Sequence, residues 1–260
     1  MEMLEALRLQ WEWGADEALA DLPIDRLSPP ATRPAPPAEA PPPPPAVPPH
    51  HRAKPALPGL ADAKHLAESC QTLEDLAAAM RGFAGCALSV TATQLVFADG
   101  AADARLVIVG EAPGAEEDRA GRPFVGPAGQ LLDKMLASIG LDRTLVRIVN
   151  TVPWRPPGNR APTESEVALC LPFLHRQIAL IAPRGLFTLG AVAAKALLPL
   201  EATSGIRRLR GQWKQAEITG LPAPLPCLPS YHPAYLLRTP AAKAEAWHDL
   251  LALKNWLNDA

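Results

Sequence analysis

Two amides and two cations fall within the short stretch NTVPWRPPGNRAP, residues 150–162. Asn150 ends an apolar run, and its carboxamide can donate and accept at once, as the edge of a nucleobase requires. Arg155 and Arg160 suit phosphate oxygens, and the prolines of the stretch stiffen the loop that carries them. A second group lies in VIVGEAPGAEEDRAGRPFVGPAGQLL. There Gly110 ends another apolar run, and the glycines after it keep the loop bare enough for backbone to approach a ligand. No G-K-[ST] follows, so this is not a Walker A loop, and Pro113 with Glu116, Glu117 and Asp118 interrupts any dinucleotide fingerprint. An acidic loop repels phosphate and favours an uncharged ligand or a water, with Phe124 offering a ring face to a planar group. Residue type alone equally allows a structural turn with Phe124 in the core, a capping role for Asn150, and surface arginines.

A third group is PSYHPAYLLR, residues 229–238. His232 is stiffened by the proline after it and can donate a hydrogen bond to a developing anion. Leu236 and Leu237 beside Arg238 make an apolar wedge next to a phosphate contact. The stretch GIRRLRGQWK gathers Arg207, Arg208 and Arg210 into a backbone-binding patch, in a chain whose formal charge is only −2.

The elements that must position these residues follow from periodicity. Apolar runs at 105–110, 146–151, 185–190 and 225–230 read as strands, and helical spacing recurs at 130–139, 164–181, 192–198 and 241–257. The alternation predicts an α/β fold, three-layer α/β/α with a central, mainly parallel sheet. In such folds the functional side chains sit beyond the carboxyl ends of the strands, which is where all three groups fall. The 260 residues, 48% hydrophobic, suffice for one sizeable core. No apolar run reaches membrane-spanning length and the N-terminus lacks the order of a secretory signal, so the expectation is a cytoplasmic protein with no membrane partner. Cys70, Cys86, Cys170 and Cys227 are scattered, which favours thiols or metal ligands over disulfides. Nearly half of the 31 prolines lie between residues 29 and 58. Residues 28–60 therefore read as an extended linker between an N-terminal helix, 1–27, and the main domain, 61–260.

In this order and spacing, GEAPGAEED, GRPFVGPAGQLL, RPPGNRAP and HPAYLLR resemble the fourth family of uracil-DNA glycosylases, the iron–sulfur type. The resemblance covers roughly residues 83–258. It implies a monofunctional enzyme that flips uracil out of DNA and hydrolyses its N-glycosidic bond, leaving an abasic site for base excision repair. It also implies roles for individual residues. Glu111 and the backbone of Ala112 lie near the sugar and the attacking water, and Phe124 stacks on the flipped uracil. Asn150 reads the uracil edge, Asn159 takes part in activity, His232 faces the uracil carbonyl, and Glu117 lines the pocket near the base C5. Arg155, Arg160, Arg207, Arg208, Arg210 and Arg238 then face uracil-containing DNA, with Leu236 or Leu237 filling the gap left by the flipped base.

The family's four cluster cysteines fall on Phe83, Cys86, Trp154 and Cys170, so only Cys86 and Cys170 remain as ligand positions. A [4Fe–4S] cluster normally takes four thiolates. The expectation is therefore no cofactor and no metal, with Phe83 and Trp154 filling the volume by aromatic packing. RPPGNRAP also lacks the insertion of relatives that trap DNA covalently, which predicts ordinary turnover. We expect a monomer, with a repair or replication protein as a second partner through the N-terminal helix. Two other functions fit the same residues: a non-catalytic nucleic-acid-binding repair module, and a glycosylase for another deaminated base such as hypoxanthine.

Overall fold

Leu106 and Ile108 feed one core while Val107 and Val109 feed another, so a single strand with every residue buried separates two layers. Such a strand is covered by helices on both faces, which is why its sequence is an unbroken apolar run. The computed structural model describes residues 59–199 and 205–259. The expected helix at 1–27 and nearly all of the linker at 28–60 lie outside the described residues.

Six strands form one sheet: β1 (Asp99–Gly100), β2 (Leu106–Gly110), β3 (Arg147–Asn150), β4 (Gly185–Leu189), β5 (Lys214–Ala216) and β6 (Leu225–Ser230). Their order is β1-β3-β2-β4-β6-β5. The four central strands β3, β2, β4 and β6 run parallel, and β1 and β5 pair antiparallel at the edges. This is the expected three-layer α/β/α fold. The edge strands show no periodicity in the sequence because they are too short to hold one.

The helices are α1 (Leu60–Ser69), α2 (Leu73–Gly82), α3 (Ala87–Thr91), α4 (Ala115–Ala120), α5 (Pro127–Ala137), α6 (Glu164–Ile181), α7 (Ala191–Leu197), α8 (Ile206–Leu209), α9 (Pro233–Arg238) and α10 (Lys243–Asp259). On one face α5 and α10 bury Leu132, Leu136, Leu250 and Leu253 against Ile108, Ile148, Phe187 and Leu228. On the other, Leu174 and Ile178 of α6 and Ala193, Ala194 and Leu197 of α7 meet Val107, Val109, Val149 and Leu186. A third cluster joins α1 and α2 to α6 around Leu76, Met80, Phe83, Cys86, Trp154, Cys170 and Phe173. The start of α6 is fixed by a capping box, in which the Thr163 hydroxyl accepts from the Glu166 N–H at 3.2 Å and the Glu166 carboxylate accepts from the Thr163 N–H at 2.7 Å.

Register decides where the site forms. Gly110 lies opposite Asn150, and Leu189 lies opposite Ser230, so the parallel strands end along one edge of the sheet. From β2 the chain proceeds to β3 on one side, while β4 and β6 lie on the other. A strand order that reverses in this way opens a crevice beyond the strand ends.

Candidate active site

Gly110, at the end of β2, lets two side chains close over it because it has none of its own. A Cβ there would stand 2.5 Å from Asn150 Oδ1 and 2.6 Å from Phe124 Cε2, so the carboxamide and the ring converge above bare backbone. The cleft has a volume of about 470 Å³, within the range of small-ligand sites. Glu111, Ala112, Glu117, Phe124, Asn150, Asn159 and His232, the seven residues expected to be catalytic or to hold the base, all line it, together with Arg160 and Arg238. Pro156, Ala128 and Tyr235 line it as well and were not anticipated. Tyr235 was within reach of the sequence, since it stands three residues after His232 and so one turn further along α9.

The loop after β2 is held by Glu117. Its carboxylate accepts from the N–H groups of Gly114 at 3.1 Å, Val125 at 3.0 Å and Gly126 at 2.9 Å. It therefore closes both the first turn of α4 and the approach to α5. Phe124 sits at φ +54°, a left-handed conformation that a bulky residue rarely takes and that surrounding structure must impose. The Phe124 ring is 5% exposed and stacks on His232, with centroids 5.5 Å apart and planes inclined by 29°. The two rings touch, so a planar ligand stacks on one of them rather than between them. Gly129 allows this loop to close on α5, because a Cβ there would overlap the Phe124 carbonyl.

His232 caps α9, with Nδ1 accepting from the Ala234 N–H at 3.2 Å. That bond occupies the Nδ1 lone pair and leaves the proton of the neutral ring on Nε2. Burial, followed by the nearby charge of Arg238, lowers its pKa to about 4, so the ring is neutral near pH 7. Glu111 moves the other way, since burial raises its carboxyl above the ordinary range. Among the described residues, no hydrogen bond engages the carboxylate of Glu111 or the carboxamide of Asn150, so both are free for a ligand.

In the RPPGNRAP loop a 3₁₀ turn, Pro157–Asn159, places Asn159 at φ +56°. Arg155 Nε donates to Asn159 Oδ1 at 2.7 Å, which leaves the Asn159 amide N–H₂ as the free end. Arg160 is paired with Glu166 at 2.7 Å, and that pairing pulls the Glu166 pKa to about 2. Arg207, Arg208, Leu237 and Arg238 are exposed.

Two residues expected to face DNA do not. The Arg210 guanidinium is turned inward onto Asp249 at 2.5 Å and onto the Glu245 carbonyl, and it stacks over Tyr231 at 5.3 Å. Leu236 is 1% exposed and packs in the core with α5 and α10. In each case the cause is a helix that the sequence pattern could not pair with that residue: α10 supplies the carboxylate for Arg210, and α5 and α10 together supply the apolar surface for Leu236.

Residues 97–251 match the family described as the uracil DNA glycosylase superfamily. The chain is 47% identical over 147 residues to the type-4 uracil-DNA glycosylase of Pyrobaculum aerophilum, covering 56% of this chain and 74% of that one. It is 42% identical over 161 residues to the type-4 enzyme of Sulfurisphaera tokodaii, covering 60% of this chain and 71% of that one. It is 41% identical over 178 residues to that of Archaeoglobus fulgidus, covering 67% and 88%.

These relatives overturn the expectation of no cofactor, because type 4 is the iron–sulfur type and the likeness points to a cluster. Cys86 and Cys170 are buried together, and the hydrogen bond between them draws the Cys86 pKa down to about 7 and pushes that of Cys170 well up. Phe83 and Trp154 close the same cluster of side chains. These positions supply two of the four thiolates that a [4Fe–4S] cluster takes. The residues present do not complete that ligand set.

Proposed function

The chain belongs to the uracil DNA glycosylase superfamily, and on that premise we propose that it flips uracil out of DNA and hydrolyses the bond between the base and C1′ of the sugar, leaving an abasic site. The observation that carries this reading is the meeting in one cleft of an aromatic ring, a free carboxamide, a neutral histidine and a partly buried carboxylate.

A base inside a duplex is out of reach of these groups, so it must be extruded. Leu237, 44% exposed on α9, fills the space it leaves. Phe124 stacks on the extruded base, and the Asn150 carboxamide pairs with the donor and acceptor on its edge. Glu117 lines the pocket from the side of the base C5, held in place by its three backbone donors. As the C1′–N1 bond breaks, its electron pair passes to uracil and the sugar becomes cationic, as in other glycosidic cleavages. His232 Nε2–H donates to the uracil anion from a preorganised position, which is the term that matters most for a charge appearing in the transition state. Glu111, ionised above its raised pKa, stabilises the sugar cation and orients the water with the Ala112 backbone. The attacking water loses its proton to the carboxylate, and the Asn159 amide supports the same side of the cleft. Arg155, Arg160, Arg207, Arg208 and Arg238 take up phosphates along the rim.

Among the described residues no helix is long and apolar enough to cross a membrane. The protein's place is with DNA in the cytoplasm, as a monomer. Incubation with uracil-containing, hypoxanthine-containing and unmodified oligonucleotides, followed by alkali, tests the reading. Strand breaks confined to the uracil oligonucleotide are expected, and binding without breaks points instead to a non-catalytic module.

A further inference from the structure

We infer that Arg143 is a positioning residue for base recognition, acting through the backbone of Phe124. The inference rests on the proposed stacking role of Phe124. Arg143 lies between α5 and β3, outside the cleft and outside every motif of the sequence. Its Nη2 donates to the Phe124 carbonyl and its Nη1 to the Pro123 carbonyl at 3.2 Å. The guanidinium is itself aimed by two carboxylates from different elements: Asp99 of β1 at 2.6 Å and Asp133 of α5 at 2.8 Å.

Phe124 is held in a left-handed conformation, φ +54°, that does not persist without enforcement. Glu117 captures the N–H groups on the C-terminal side of Phe124, those of Val125 and Gly126. Arg143 captures the two carbonyls at and before it. The peptide groups on both sides of the ring are thus pinned by opposite charges from opposite directions. The planar fork of arginine reaches two carbonyls and two carboxylates together, which the single ammonium of lysine cannot do. The ring that receives the base is consequently fixed from the far side of the loop by the β1–α5 junction.

The test compares full-length wild type, Arg143→Met, Arg143→Lys, Phe124→Ala and the double variant Phe124→Ala/Arg143→Met. The readouts are single-turnover uracil excision, inhibition by free uracil, binding of undamaged duplex, and thermal unfolding. A misplaced recognition group costs on the order of 10- to 100-fold in rate. That loss is expected in Arg143→Met, with a matching rise in the free-uracil inhibition constant and unchanged duplex binding. The double variant is expected to be no slower than Phe124→Ala by more than about twofold, since both act through one group. Losses that multiply in the double variant, or excision unchanged in Arg143→Met, overturn the inference. Arg143→Lys keeps the charge beside Asp99 and Asp133 and is read where Arg143→Met does not fold; lysine restoring full excision, or also failing to fold, overturns it. A wild-type protein that leaves uracil in place overturns the function proposed above, and this inference with it.

Discussion

On the proposed mechanism His232 and Asn150 both hold the extruded base, and their removal should show it. Loss of a preorganised donor to a developing anion costs about 10²–10³ in rate. His232→Ala and Asn150→Ala should therefore each slow single-turnover excision by about that factor while leaving affinity for undamaged duplex near wild type, as a binding titration will report. The acid side of the pH profile follows from the two shifted groups. On the proposed mechanism Glu111, its pKa raised by burial, acts as a carboxylate, so the rate should fall as the pH drops through its elevated pKa. Glu111→Gln should remove that limb of the profile along with most of the rate. His232, lowered to about 4, stays neutral through the same range and changes charge only below it. The shift of His232 also carries a stability consequence. Between pH 6.5, its ordinary value, and about 4, the unfolded chain binds a proton that the folded one refuses, so thermal stability should decline across that window as acid is added.

At the scale of the element, α9 divides a leucine pair that looks uniform in sequence. Six residues of helix turn Leu236 into the core at 1% exposure and leave Leu237 in solvent at 44%. Leu237→Ala should leave the unfolding free energy within about 0.5 kcal/mol yet slow excision from duplex more than from single strands, because only the duplex loses a stacked neighbour. Leu236→Ala should cost about 2–5 kcal/mol of stability, the range for emptied core positions, measured by denaturant unfolding. The four parallel strands were legible as short apolar runs, and the helices at 164–181 and 241–257 because each is long enough to show its period. The loop geometry was not. Glu117 reads as one of three adjacent acids, and nothing in EED tells which one turns back to collect the backbone of Val125 and Gly126.

The whole molecule ties the His232 strand end to its C-terminal helix through Asp249. That carboxylate is 1% exposed, accepts from Ser230 Oγ at 2.7 Å and pairs with Arg210 at 2.5 Å. Asp249→Asn leaves a largely buried guanidinium short of a partner. Because Glu245 stays 3.6 Å away, the cost should lie near the low end for broken buried pairs, about 3 kcal/mol by thermal unfolding. By itself the sequence determined the α/β layering and the strand-end motifs, because period and motif spacing are local properties of the chain, and the resemblance carried by those motifs pointed to seven of the residues that line the cleft. The tertiary structure alone decided that Arg210 serves the fold and not DNA, that Leu237 and not Leu236 meets solvent, and that Arg143 reaches Phe124 across 19 residues. Each of these depends on which distant helix or strand supplies the opposing charge or apolar surface. Such a partner lies 10 to 44 residues away for Arg143 and 39 for Arg210, and packing, not spacing, brings it into contact.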